Sequence, residues 1–132
     1  METFIRSKLD QAYEDFNRLA RESDGLCDLK KFTYQGGSRP DYTIHLVQSY
    51  YILKYLPAYL AEYYLMYKQL FKSGFIDKTL NVLSIGCGCG LDHWGCYYAL
   101  QDVPGVGDVE PSYTGVDSVS WLYQDGKWSR YE

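Results

Sequence analysis

Apolar residues recur at three- and four-residue steps from the start of the chain: Phe4/Ile5, Leu9, Ala12/Tyr13, Phe16 and Leu19/Ala20. That is one stripe of an amphipathic helix, with Arg6, Lys8, Asp10, Glu14 and Arg18 mostly outside it. Ser23, Asp24 and Gly25 supply a stop, and Gly36, Gly37, Ser38 and Pro40 predict a loop over 25–40. Asp41 or Thr43 can cap a second helix, whose face runs Leu46, Tyr50, Leu53 and Leu56. Pro57 lacks the N–H for residue 53 and its ring crowds that turn, so the helix should kink there or end and restart. A third segment carries Leu60, Tyr64, Tyr67 and Phe71 and stops at Ser73-Gly74. Tyr51, Tyr55, Tyr59, Tyr63 and Tyr67 form a ladder at i+4. It reads as a packing seam with wet hydroxyls, or as a stacking platform for a base; seams are the commoner use of such stripes.

From Leu80 the period changes. Leu80-Asn81-Val82-Leu83-Ser84-Ile85 is a short, partly β-branched apolar run suited to a buried parallel strand. Gly86-Cys87-Gly88-Cys89-Gly90 follows at once, then a helical stretch from Leu91 to Leu100. Tyr113-Thr114-Gly115-Val116-Asp117 reads as a second strand ending in an acid, after the turn-rich insert Val103–Pro111. The expected fold class is therefore α/β, with a helical region over 1–79 and a βαβ unit over 80–132, in one continuous domain.

Composition and charge narrow the function. The chain has 132 residues, 46% hydrophobic and 23% charged, which is ordinary for one small folded domain. Many of its 15 tyrosines belong at half-buried positions, where the hydroxyl reaches water or a partner. A net charge of −4 and no long basic run give no electrostatic footprint for nucleic acid. The start carries no secretory pattern, and Leu46–Phe71 is too polar to span a membrane. Four cysteines, three of them close together, do not form a disulfide framework, so free thiols and a cytoplasmic location are expected.

The glycine loop carries the chemistry. Glycines where a strand hands over to a helix allow a sharp turn and a close approach by a ligand. The N–H groups of the helix start would face its polar or anionic groups. A dinucleotide fingerprint is G-x-G-x-x-G, and Leu91 stands where that pattern needs its last glycine. Gly86-x-Gly88-x-Gly90 after a strand resembles motif I of class I S-adenosylmethionine (SAM)-dependent methyltransferases instead. The resemblance covers about residues 80–120 and implies the first βαβ unit of a Rossmann-like sheet. It implies that Gly86, Cys87, Gly88 and Gly90 hold the methionine part of SAM and that Asp117 binds the ribose hydroxyls. The family usually carries an acid two residues before the first glycine; here Ser84 stands there, so either Asp92 substitutes or SAM binding is weak.

Other chemistries compete for the same residues. Cys87, Cys89, His93 and Cys96 make a legitimate zinc set, but at an unusual spacing, so no metal is expected. A thiol nucleophile at Cys87 would have a helix N-terminus to lower its pKa but no nameable base. His93 suits a surface or capping role, Tyr42 and His45 are weak candidates to lid the cofactor, and Trp94, Trp121 and Trp128 suit packing. The activity implied by the resemblance is methyl transfer from SAM to an unknown acceptor. The alternative is a non-enzymatic nucleotide-binding or interaction module, and the third reading is an NAD-type oxidoreductase fragment.

Only two strands, Leu80–Ile85 and Ser112–Val116, are readable, so the sheet looks truncated. The strand expected beyond Leu80–Ile85 is missing, which leaves an apolar edge and half the cofactor site without walls. The chain alone should therefore transfer little methyl and bind SAM weakly. It should self-associate or be completed by a partner chain.

Overall fold

A computed structural model describes residues 1–22, 29, 40–74, 79–106, 109–124 and 129–132. The elements in chain order are α1 (Glu2–Glu22), α2 (His45–Lys72), β1 (Thr79–Ile85), α3 (Leu91–Asp102), β2 (Glu110–Val116) and β3 (Ser129–Tyr131). The stop at residues 23–25 and most of the loop expected over 25–40 lie outside the described residues. The chain divides into two compact units, Met1–Leu56 and Pro57–Glu132.

In the first unit, α1 follows its apolar stripe, but only Ala12 is buried and Tyr13 is 61% exposed. Ion pairs between Arg18 and both Asp15 and Glu22 run along the exposed side of the helix. Such surface pairs contribute at most about 1 kcal/mol each. The expected cap of α2 is corrected. Asp41 Oδ1 accepts from the Thr43 N–H at 3.0 Å and the Thr43 hydroxyl at 2.6 Å, so these two residues build a turn upstream of the helix. The first helical N–H groups go to Ile44, whose carbonyl accepts from Val47 and Gln48. Of the expected face of α2, Leu46 and Leu56 are buried, whereas Tyr50 and Leu53 are half-buried; Gln48, Ser49 and Ile52 are buried as well. Gln48 tolerates burial because its amide donates to the Tyr42 carbonyl at 2.8 Å. The tyrosine ladder runs along the same helix. Tyr51 and Tyr55 are half-buried with ring centroids 4.9 Å apart, Tyr59 and Tyr63 are exposed, and Tyr67 is buried.

Pro57 lies inside α2 and does not end it, and the second unit begins at this residue. In the second unit, β1, β2 and β3 form a parallel sheet in that order, with Leu80 beside Pro111, Ile85 beside Val116 and Gly115 beside Tyr131. The helix between β1 and β2 completes a βαβ unit, and the mixed α/β class is as expected. β3 is an addition: three residues, Ser129-Arg130-Tyr131, carry too little pattern to predict a strand. They pair because β2 offers them an open ladder.

The core of this unit gathers Tyr67 and Phe71 of α2, Leu80 of β1, Cys96 and Ala99 of α3, and Val103, Val106 and Val109 of the connection to β2. α3 buries Leu91, His93, Trp94, Gly95, Cys96 and Ala99, which is more than one face. Its sequence accordingly lacks a clean polar stripe. At the far end of the α2–α3 pair, Lys68 Nζ donates to the Tyr64 hydroxyl, which donates to Asp102 Oδ2, both at 2.5 Å.

β1 departs from the fully buried strand that its composition suggested. Leu80 is buried and Val82 and Ser84 are half-buried, but Leu83 is 66% and Ile85 83% exposed. The physical reason is position. Among the described residues β1 is the edge of the sheet, and the helical layer lies on the Val82 side, where its neighbour Tyr113 reaches α3. Among the described residues no strand pairs with the other side of β1.

Candidate functional site

Parallel strands put their carboxyl ends together, and in open α/β sheets ligands bind outside those ends. Here Ile85 leads into the glycine loop and Val116 into Asp117. Register makes them neighbours, since Ile85 pairs with Val116. The loop is tied to β2 directly: Val116 O accepts from Gly86 N at 2.7 Å and from Cys87 N at 3.3 Å. Gly86, Gly88 and Gly90 all take positive φ (70°, 57° and 80°), a conformation other residues adopt only with strain.

The structure brings the two halves of the expected site together. Gly88 N donates to Asp117 Oδ2 at 2.8 Å, and Asp117 Oδ1 accepts from Val119 N at 3.0 Å. One carboxylate oxygen therefore holds the loop and the other turns the chain at the end of β2. The carbonyl of the same residue is held by Gln124, whose Nε2 donates to Gly88 O at 3.0 Å. The Trp121 indole packs against Gly88, with Cζ2 3.5 Å from where a Cβ would stand. Nothing lies within 4 Å of the equivalent point on Gly86, so the loop is open there. From sequence Trp121 is a packing residue with no link to the loop, and Gln124 is not singled out at all. No motif marks them, and only the folding back of residues 117–124 delivers them to the loop.

The expectation that loop N–H groups would face an anion is corrected. Gly86, Cys87, Gly88 and Gly90 each donate within the chain, the last to Cys87 O at 2.9 Å. Burial, and then the nearby charges of Asp117 and Asp92, push the Cys87 thiol up to about 11. Burial drives Cys96 up to about 12 and raises Cys89 as well. Asp92 sits in the first turn of α3, where a carboxylate is favoured, and accepts from the Tyr113 hydroxyl at 2.8 Å. Burial and the Asp92 charge raise Tyr113 in turn.

These thiols stay protonated at neutral pH, which removes the basis for a nucleophilic Cys87. Among the described residues no group of three or more His, Cys, Asp or Glu is arranged to hold a metal ion. His93 is not the surface residue expected. It is 2% exposed, with its ring 4.9 Å from that of Tyr113, because α3 is buried on that side too. Cys96 and Trp94 are core residues, as expected, and Trp121 is buried; Trp128 lies outside the described residues. Tyr42 and His45 belong to the first unit, where the Tyr42 ring meets Tyr51 edge-on at 5.7 Å.

The raised thiols give a testable consequence. A thiol ordinarily titrates near 9.0; in the folded chain Cys87 and Cys96 hold their protons to about 11 and 12. The folded state therefore binds more protons across that window, and stability falls as pH rises through it. Melting temperature should be flat below about pH 9 and drop above it. Iodoacetamide at about pH 8 should leave Cys87, Cys89 and Cys96 unmodified in the folded chain and label all three in urea. Rapid native labelling of Cys87, mapped by mass spectrometry, would restore the nucleophile reading.

Beside Asp117 lies a polar hollow of about 200 Å³, lined by Asp117, Ser118, Val119, Ser120, Gln124 and Glu132. Pockets for drug-sized ligands run to roughly 300–1,000 Å³, so this one is sugar-sized. No protein family, curated protein or solved structure matches this chain. No helix among the described residues is long and apolar enough to cross a membrane.

Proposed function

We propose that this chain is the cofactor-binding part of a SAM-dependent methyltransferase with a Rossmann-like beginning. The observation that carries the reading is the 2.8 Å bond between Asp117 and Gly88, which sets the acid after β2 against the glycine loop after β1. Each Asp117 oxygen accepts one backbone N–H in this geometry and keeps a lone pair for a ribose hydroxyl. The loop offers carboxylates and few free N–H groups, which suits the sulfonium and ammonium of SAM and opposes a pyrophosphate. That electrostatic preference also argues against the NAD reading. Asp92, fixed by Tyr113, stands in for the acid missing at Ser84.

Bound SAM supplies an electrophilic methyl group to the acceptor. Gly86, Cys87, Gly88 and Gly90 would hold its methionine part and Asp117 its ribose in the neighbouring hollow. The protein's contribution is orientation and exclusion of water. The acceptor, and the partner or second copy that would meet the exposed β1 edge, lie beyond the residues that build this end of the sheet. The bonds already made to both sides of Gly88 favour one second reading, an interaction module that keeps the loop as structure.

Calorimetric titration separates these readings. SAM should bind measurably more tightly than S-adenosylhomocysteine, which lacks the positive sulfur, and NAD should not bind. Gly88→Val should abolish SAM binding while keeping the far-ultraviolet circular dichroism spectrum. Equal SAM binding by wild type and Gly88→Val would remove the loop from the site, and binding of NAD alone would replace the reading.

A further inference from the structure

Two neighbouring strands of the parallel sheet are each followed at once by an acid. Asp117 comes after β2 and Glu132 after β3. The ladder carries on past the strand ends and fixes the two side by side. Glu132 N donates to Gly115 O at 2.9 Å, and Asp117 N donates to Glu132 O at 3.0 Å. Both residues line the polar hollow of about 200 Å³, together with Ser118, Ser120 and Gln124. The hollow lies past the carboxyl ends of the strands, where open α/β sheets bind their ligands. Among the described residues that line it there are two carboxylates and no Lys, Arg or His. An anionic group entering it meets like charge. A neutral ligand rich in hydroxyl donors meets acceptors instead, and a carboxylate can take more than one of them.

We infer that Glu132 is a second diol-reading acid beside Asp117 in this hollow, and that it selects a ribose whose hydroxyls carry no phosphate. The nucleoside as bearer of that ribose rests on the SAM reading; the preference for a neutral cis-diol rests on the lining. The two acids differ in what they already hold. The Asp117 oxygens accept from Gly88 N and Val119 N, so a ligand shares them with the backbone. Glu132 is an exposed residue fixed by its main chain, so a change of its side chain alters the hollow and leaves the glycine loop alone. Hydroxyls that donate to carboxylates form charge-assisted bonds, which are stronger than neutral ones. A phosphate on either hydroxyl removes a donor and adds negative charge against both acids.

The test titrates wild type and Glu132→Gln by calorimetry with SAM, adenosine, 2′-deoxyadenosine and adenosine 2′-monophosphate. Glutamine keeps the size of the side chain and removes its charge, so the melting temperature should not move. Wild type should bind adenosine about tenfold more tightly than either analogue. Glu132→Gln should weaken adenosine and SAM about threefold to tenfold and narrow the gap to the 2′-monophosphate. Adenosine and SAM affinities that Glu132→Gln leaves unchanged would overturn the proposal, and the SAM reading would stand on wild-type SAM binding alone. Equal binding of adenosine and 2′-deoxyadenosine would overturn it too. So would stabilisation of wild type by millimolar Mn²⁺ or Ca²⁺ that is lost in Glu132→Gln, because the two acids would then hold a cation. Adenosine binding that depends on Glu132, with no binding of SAM, would uphold the diol site and remove the SAM reading. Binding of neither ligand would overturn both.

Discussion

Gly95→Ala is expected to destabilise the chain more than any other single-methyl change in it. A Cβ at Gly95 would stand 2.5 Å from the Tyr63 Cβ, 2.8 Å from the Tyr64 N and 2.9 Å from the Tyr63 carbonyl carbon. These are backbone or backbone-adjacent atoms of α2, so no rotamer change relieves the overlap and the two helices must separate. Cys96 and Ala99 of α3 share one core with Tyr67 and Phe71 of α2, and separation loosens all four. Alanine favours the helix over glycine by about 1 kcal/mol. Forced overpacking against backbone outweighs that gain, for a net loss of about 2–4 kcal/mol. The melting temperature should fall by roughly 10 °C, measured by calorimetry or dichroism. A variant as stable as wild type would mean that α2 and α3 do not cross at this distance.

Asp117→Ala should have the second-largest effect, on the loop as well as on the ligand. It removes the acceptor of Gly88 N and of Val119 N together. Charge-assisted bonds of this kind contribute about 1.5–3 kcal/mol each, and water can replace part of the loss at a half-buried site. A stability loss of about 2–4 kcal/mol is expected, with SAM weakened about tenfold to a hundredfold. Asp117→Asn should rescue little. Its single acceptor oxygen can serve one of the two N–H groups, and its NH₂ then faces the other as donor against donor. Equal melting temperatures for wild type, Ala and Asn forms would show that the carboxylate holds neither the loop nor the turn. Full rescue by Asn would show that only one of the two bonds matters.

Where the prediction from residues succeeded, the signal was local. The stripe Phe4 to Ala20 made α1, and the strand–glycine–helix order from Leu80 to Leu100 made β1, the loop and α3. The resemblance implied ligand roles for the loop and for Asp117 but no bond between them, and the 2.8 Å bond from Gly88 N to Asp117 comes from the fold. Where it failed, the deciding partner was distant. Leu83 and Ile85 are apolar and strand-forming whatever covers them, so composition could not reveal that one face of β1 is bare. Gln48 is fully buried on α2, and a glutamine reads as surface until its bond to the Tyr42 carbonyl is seen.

Backbone conformation and period are properties of short stretches. The sequence by itself therefore determined the order from β1 through α3 to β2, the α/β class and the sharp turns at Gly86, Gly88 and Gly90, whose positive φ only glycine adopts without strain. Only the tertiary structure decided what those turns touch. Val116, Asp117 and Gln124 take up the loop's N–H and carbonyl groups, Trp121 covers Gly88, and Asp92 is fixed by Tyr113. Hydrogen-bond partners and close packing join residues far apart in the chain, and their energies depend on distances that no local pattern carries. Gly95 shows the division most plainly. In sequence it is a weak helix residue, and in the fold it is the point where two helices meet backbone to backbone.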